Sequence, residues 1–177
     1  MDVNLLLGKV LIVSQQPPLT DSPMTILLVS HARDDHTSLQ IIFSQSPWRL
    51  RSAFACEEAL TAIRSQQFPV LICVENLPDG DWRRLVAETT QMPIAPRVLV
   101  SSRLPNDGLW AEVLQTGAYD LLPMPWERRE VLRLNSLAWH SWAFACRSAK
   151  TKQCATLNPP DCVRGEDSLG RITLVMV

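Results

Sequence analysis

With 177 residues, a hydrophobic share of 46%, a charged share of 20% and a formal charge of -1, the chain has the size and balance of one globular domain with extensions. The near-neutral charge gives no electrostatic basis for binding nucleic acid or an anionic membrane, so neither is expected as a partner. Five cysteines, an odd count without a C-x-x-C pair, speak for reduced thiols and a reducing cytoplasm, with Cys56 and Cys73 acting as small hydrophobes inside apolar patterns.

The first apolar stretch, residues 5–13, is interrupted by Gly8 and Lys9 and falls well short of the roughly 20 residues that span a bilayer. No cationic segment precedes it, so it does not read as a signal peptide. Residues 1–23 close with QQPPLTDSP, which continues neither helix nor ladder, and form an N-terminal extension. Met24, directly before the first strand-like run, is a candidate alternative translation start.

From there short apolar runs alternate with segments of helical period. A buried strand is predicted over 25–29, then a helix over 35–45 with Leu39, Ile42 and Phe43 on one face. A second strand fits 49–54 and a second helix 57–67, where Ala59, Leu60 and Ile63 recur at core spacing. Residues 70–74 are apolar throughout, the pattern of a central parallel strand covered on both faces. The following ENLPDGD is a loop, and Asp81 is placed to cap a helix over 82–91.

A fourth unit gives a strand over 97–101 and a helix over 109–116, ended by Gly117 in the left-handed conformation. A fifth strand covers 119–122, and PMPW leads into a long helix starting near Glu127. Five strands alternating with five helices predict an α/β fold, a doubly wound five-stranded parallel sheet flanked by helices. Its functional groups gather beyond the carboxyl ends of the strands. The domain is placed at 24–147. The polar residues 148–177, without sustained period, are predicted to be a disordered tail, and their terminal ITLVMV suits either an added strand or surface packing.

This order of elements, with NLPDG after the third strand and GAYDLLPMPW around the fifth, resembles the receiver domain of bacterial response regulators over residues 24–142. The resemblance implies flavodoxin-like topology and a role in two-component or phosphorelay signalling. In that family the phosphoryl-accepting Asp precedes the loop proline by four residues, and Pro78 places Val74 there. The acidic pair that holds Mg²⁺ corresponds to Ser30 and His31, neither a good hard-cation ligand. The phosphoryl-contacting Lys is replaced by Met124, the aromatic switch residue by Leu121, and only the hydroxyl of Ser101 is retained.

Acceptor, cation site and lysine are lost together, which removes the electrostatic basis of phosphoryl transfer. The expectation is a pseudo-receiver: no enzyme, no cofactor, the Mg²⁺ site lost, acting by protein–protein interaction. Partners are a signalling protein or another receiver, including a second copy of the chain. Two alternatives stand beside it. One is an atypical receiver phosphorylated on a non-standard carboxylate. The other is a small doubly wound enzyme or ligand binder, weakened because SHARDD stands where a glycine-rich phosphate loop would follow the first strand.

Glu75, beside the vacant acceptor position, is a candidate mimic of a phosphorylated aspartate, but strand alternation aims it away and favours a solvated loop carboxylate. Asp79 lacks any stabiliser for a transferred group. Asp34 and Asp35 read as helix-start carboxylates rather than a displaced acidic pair, and His31 and His36 as surface histidines. Cys146, Cys154 and Cys162 recur every eight residues, too far apart for a metal knuckle. The candidate interaction face comprises Trp110, Tyr119, Leu121, Trp126, Trp139 and Trp142, with core packing the competing role for the last three. No DNA-binding output domain is expected in the residues after the receiver-like region.

Overall fold

The computed structural model describes residues 24–156, with side chains described to residue 149. The predicted extension 1–23 and the part of the tail beyond residue 156 lie outside the described residues. Strands β1 (Met24–Val29), β2 (Trp48–Ala53) and β3 (Val70–Val74) are followed by a two-residue pair, β4 (Asn76–Leu77) and β5 (Gly80–Asp81), then by β6 (Arg97–Ser102) and β7 (Asp120–Pro123). Helices α1 (Arg33–Phe43), α2 (Cys56–Ser65), α3 (Trp82–Thr90), α4 (Asp107–Thr116) and α5 (Arg128–Thr156) connect or follow them. The five main strands are parallel in the order β2-β1-β3-β6-β7.

Alternation along the strands sorts their side chains between two cores. Ile26 and Leu28 of β1, Val70 and Ile72 of β3, Leu99 and Leu122 face α1 and α5, which contribute Leu39, Phe43, Val131 and Leu134. Leu27, Val29, Leu71, Cys73, Val98 and Val100 face α2, α3 and α4. The edge strand β2 exposes Arg49 and Arg51, charges that discourage pairing with another strand.

The predicted caps hold. The Asp81 carboxylate accepts from the Arg84 amide at 3.1 Å, and Gly117 has φ 97°, where a side chain would be strained. Elsewhere the boundaries move. Helix α1 begins two residues early, and α4 begins at Asp107 because Asn106, not recognised as a cap, accepts from the Leu109 amide. The ENLPDGD segment is not wholly loop, since β4 and β5 pair antiparallel around Pro78 and Asp79.

Two further corrections concern α5 and His36. Residues 148–156 continue α5 rather than starting a disordered tail. Their Ala, Lys and Gln favour helix, and no proline occurs before Pro159. His36 is buried, not a surface residue: Nε2 donates to the Ser30 carbonyl at 2.8 Å, Nδ1 meets the Ser52 hydroxyl at 2.8 Å, and the ring packs against Phe54. Among the described residues no helix is long and apolar enough to cross a membrane.

Candidate functional site

The carboxyl ends of β1, β3 and β6 open onto a depression of about 170 Å³ lined by His31, Val74, Glu75, Asn76, Ser101, Arg103, Leu104 and Met124. His31, Val74, Ser101 and Met124, which the receiver resemblance places in a degenerate pocket, thus converge here together with the neighbouring Glu75, and the buried Ser30 directly follows β1. Val74 is buried, His31 exposed, and Glu75 and Met124 half-buried. The Glu75 amide donates to the Ser101 carbonyl at 3.2 Å, which fixes the segment after β3 against β6.

The polar groups around the depression are already committed to one another. The Ser30 hydroxyl, fully buried, donates to Asp35 Oδ2 at 2.5 Å and accepts from the Ala32 amide at 3.2 Å. The other Asp35 oxygen receives the Arg103 guanidinium at 3.1 Å. Asp35 is therefore more than a helix-start carboxylate: it is buried and charge-paired across the sheet's carboxyl edge. The Ser101 hydroxyl donates to the Leu122 carbonyl at 3.1 Å and accepts from Trp126 Nε1 at 2.7 Å. Its single proton is spent inside the fold.

Asp79 is occupied as well. Helix α2 has no capping side chain of its own at Ala55, and the Asp79 carboxylate accepts from the Cys56 amide at 2.7 Å and the Glu57 amide at 2.9 Å. The Glu57 amide, with that of Cys56, holds this carboxyl below its ordinary range. Because the folded value lies below the unfolded one, the cap contributes fully above the unfolded carboxylate range and is lost as pH falls through the folded value. We expect Asp79→Ala to lower stability by about 1 kcal/mol near neutral pH. The difference from the parent should shrink in urea titrations at acid pH, and an unchanged gap there would refute the assignment.

Burial, reinforced by the nearby Asp79 charge, pushes the Cys56 thiol up to about 11, and burial raises Cys73 well above its ordinary value. Both are neutral core thiols without nucleophilic character. Among the described residues no group of three or more His, Cys, Asp or Glu converges as metal ligands would. Of the widely spaced cysteines, Cys154 and Cys162 lie beyond the described side chains.

The predicted interaction face is only partly a surface. Trp110 is exposed, with its indole N–H donating to Asp120 at 3.1 Å. Leu121 is buried, a correction that follows from strand alternation turning it toward α3 and α4. Tyr119, Trp126 and Trp139 are half-buried against the α1 and α5 core, Trp139 edge-on to Trp48. Trp142 is half-buried, and its indole nitrogen has no partner among the described residues. On α4 and α5 the exposed large apolar side chains are Leu114, Leu137 and Phe144, beside Trp110.

No family model matches the sequence, and no curated protein matches it. Solved structures do. The signal receiver domain of an HD domain-containing protein from Pseudomonas fluorescens Pf-5 is 25% identical, with TM-score 0.64 over 70% of this chain and 91% of that one. A protein described as a response regulator from Chloroflexus aurantiacus is 25% identical, with TM-score 0.61 over 66% and 98%. A Francisella response regulator receiver domain, 22% identical, shares the fold with TM-score 0.61 over 66% and 98%. Sheet order, helix placement and these neighbours give the described part of the chain the fold of response-regulator receiver domains, which it resembles over most of their length.

Proposed function

We propose that this receiver domain signals by protein–protein interaction and takes no phosphoryl group. The observation that carries the reading is the engagement of Ser101, the only retained polar group of the family's phosphoryl site. Its hydroxyl proton is held by Leu122 and its lone pair by Trp126. Val74 offers no acceptor and Met124 no cation to stabilise developing charge.

The donor set also does not fit the Mg²⁺ that the fold family implies. Ser30 is turned into a hydrogen bond, His31 is a poor hard-cation ligand, and the nearest buried carboxylate, Asp35, already faces a guanidinium. The domain is accordingly proposed to be no enzyme and to need no cofactor. The apolar thiols support a reducing cytoplasm, and the module's partner is a signalling protein, not nucleic acid or a membrane.

Intact-mass measurement after incubation with acetyl phosphate and Mg²⁺ tests this directly. The expected result is no phosphoryl increment, together with no Mg²⁺-dependent change of tryptophan fluorescence on adding beryllofluoride. A stoichiometric, base-labile adduct would overturn the reading. It would direct attention to Glu75, since Asp79 is held by two backbone amides.

A further inference from the structure

Helix α5 contributes Val131, Leu134 and Ala138 to the core. The opposite side is a single exposed stripe of Arg129, Arg133, Leu137, His140, Phe144 and Arg147, spaced three or four residues apart. Over about 27 Å it presents two apolar side chains seven residues apart, Leu137 at 45% exposure and Phe144 at 68%, with arginines toward both ends. No carboxylate lies on the stripe. Glu130 sits at its margin, paired with Arg133 at 2.6 Å. The whole helix carries six Lys and Arg residues against that one glutamate, although the chain as a whole has a formal charge of -1.

We propose that this stripe is a docking surface for an acidic amphipathic helix of a partner protein, presenting two apolar residues seven apart with carboxylates beyond them. The inference rests on the reading of the domain as a binding module and gives its partner a chemistry. Apolar anchors at a two-turn interval suit a packed helix, and the arginines supply complementary charge and steering. A second copy fits worse, because stripe against stripe sets arginine against arginine in either orientation. An anionic membrane also fits worse: two isolated apolar side chains give little to insert, and the broad apolar face of α5 is already buried.

The test uses the full chain and a fluorescein-labelled synthetic helix carrying two leucines seven apart flanked by glutamates, beside a permuted peptide of the same composition. Anisotropy titration should show binding of the first that weakens with salt, and much weaker binding of the second. Leu137→Ala with Phe144→Ala should weaken binding about tenfold or more. Arg129→Glu should weaken it severalfold, and circular dichroism should show α5 retained in each variant.

Absence of binding, equal binding of the permuted peptide, or indifference to these substitutions would overturn the proposal. So would sedimentation with phosphatidylcholine–phosphatidylserine vesicles, or self-association, that the double substitution abolishes. Repeating the titration after acetyl phosphate treatment separates the two claims. Binding that requires a phosphoryl increment would overturn phosphorylation independence and keep the stripe. No binding and no increment would overturn the stripe alone.

Discussion

Val74→Asp is expected to destabilise the domain by about 3 kcal/mol at neutral pH and still to give no phosphoryl adduct. Val74 is buried at the end of β3, among the apolar side chains that face α2 and α3. A carboxylate there loses hydration, and the nearest guanidinium, Arg103, is already bound to Asp35. Burial therefore raises its folded value above the unfolded one, and a rise of about two units corresponds to about 3 kcal/mol.

The sign is opposite to that of Asp79. Between the unfolded and folded values the native variant binds the extra proton, so its stability falls as pH rises through that window and recovers toward the parent on acidification. Urea unfolding at several pH values measures this. Intact mass with acetyl phosphate and Mg²⁺ addresses the chemistry: an acceptor without Lys at Met124 or an acidic pair at Ser30 and His31 has nothing to stabilise the transferred group. An adduct on Val74→Asp would show that the remaining site is competent, and a stability loss under about 1 kcal/mol would show that position 74 is not buried as described.

Trp82→Ala should destabilise by about 3–5 kcal/mol, the range for emptying a large buried aromatic site. Trp82 is fully buried at the start of α3, the largest side chain among the fully enclosed residues, and Arg83 lies over its ring at 4.7 Å. Its amide donates to the Glu75 carbonyl, so the ring anchors the β4–β5 turn that carries Asp79 to the α2 amides. Trp82→Phe should recover part of the loss by filling much of the space. Denaturant midpoints at constant m-value decide it, and an effect of Trp82→Ala below about 1 kcal/mol would refute the anchoring role.

The pocket's composition was largely legible because strand ends and the Pro78 offset fix positions along the chain, and those positions lie together in the structure. What the side chains do there was not legible. Arg103 stands 68 residues from Asp35, and Trp126 25 residues from Ser101, so neither bond has a local signal. Asp79 reads locally as a turn residue, yet it caps a helix that begins 23 residues earlier. Residue type leaves the last-helix tryptophans open between core and interaction face, and helical rotation decides it by turning Trp139 toward Trp48 and leaving Leu137 and Phe144 outside.

The sequence by itself determined the alternation of strands and helices, the parallel sheet, the Asp81 cap and the Gly117 stop. All of these depend on residue type and on periodicity within one element. Tertiary structure alone decided which polar groups meet across the carboxyl edge and which face of α5 remains in water. Those outcomes depend on contacts between elements distant in sequence, where burial and pairing are set by packing and not by any local preference.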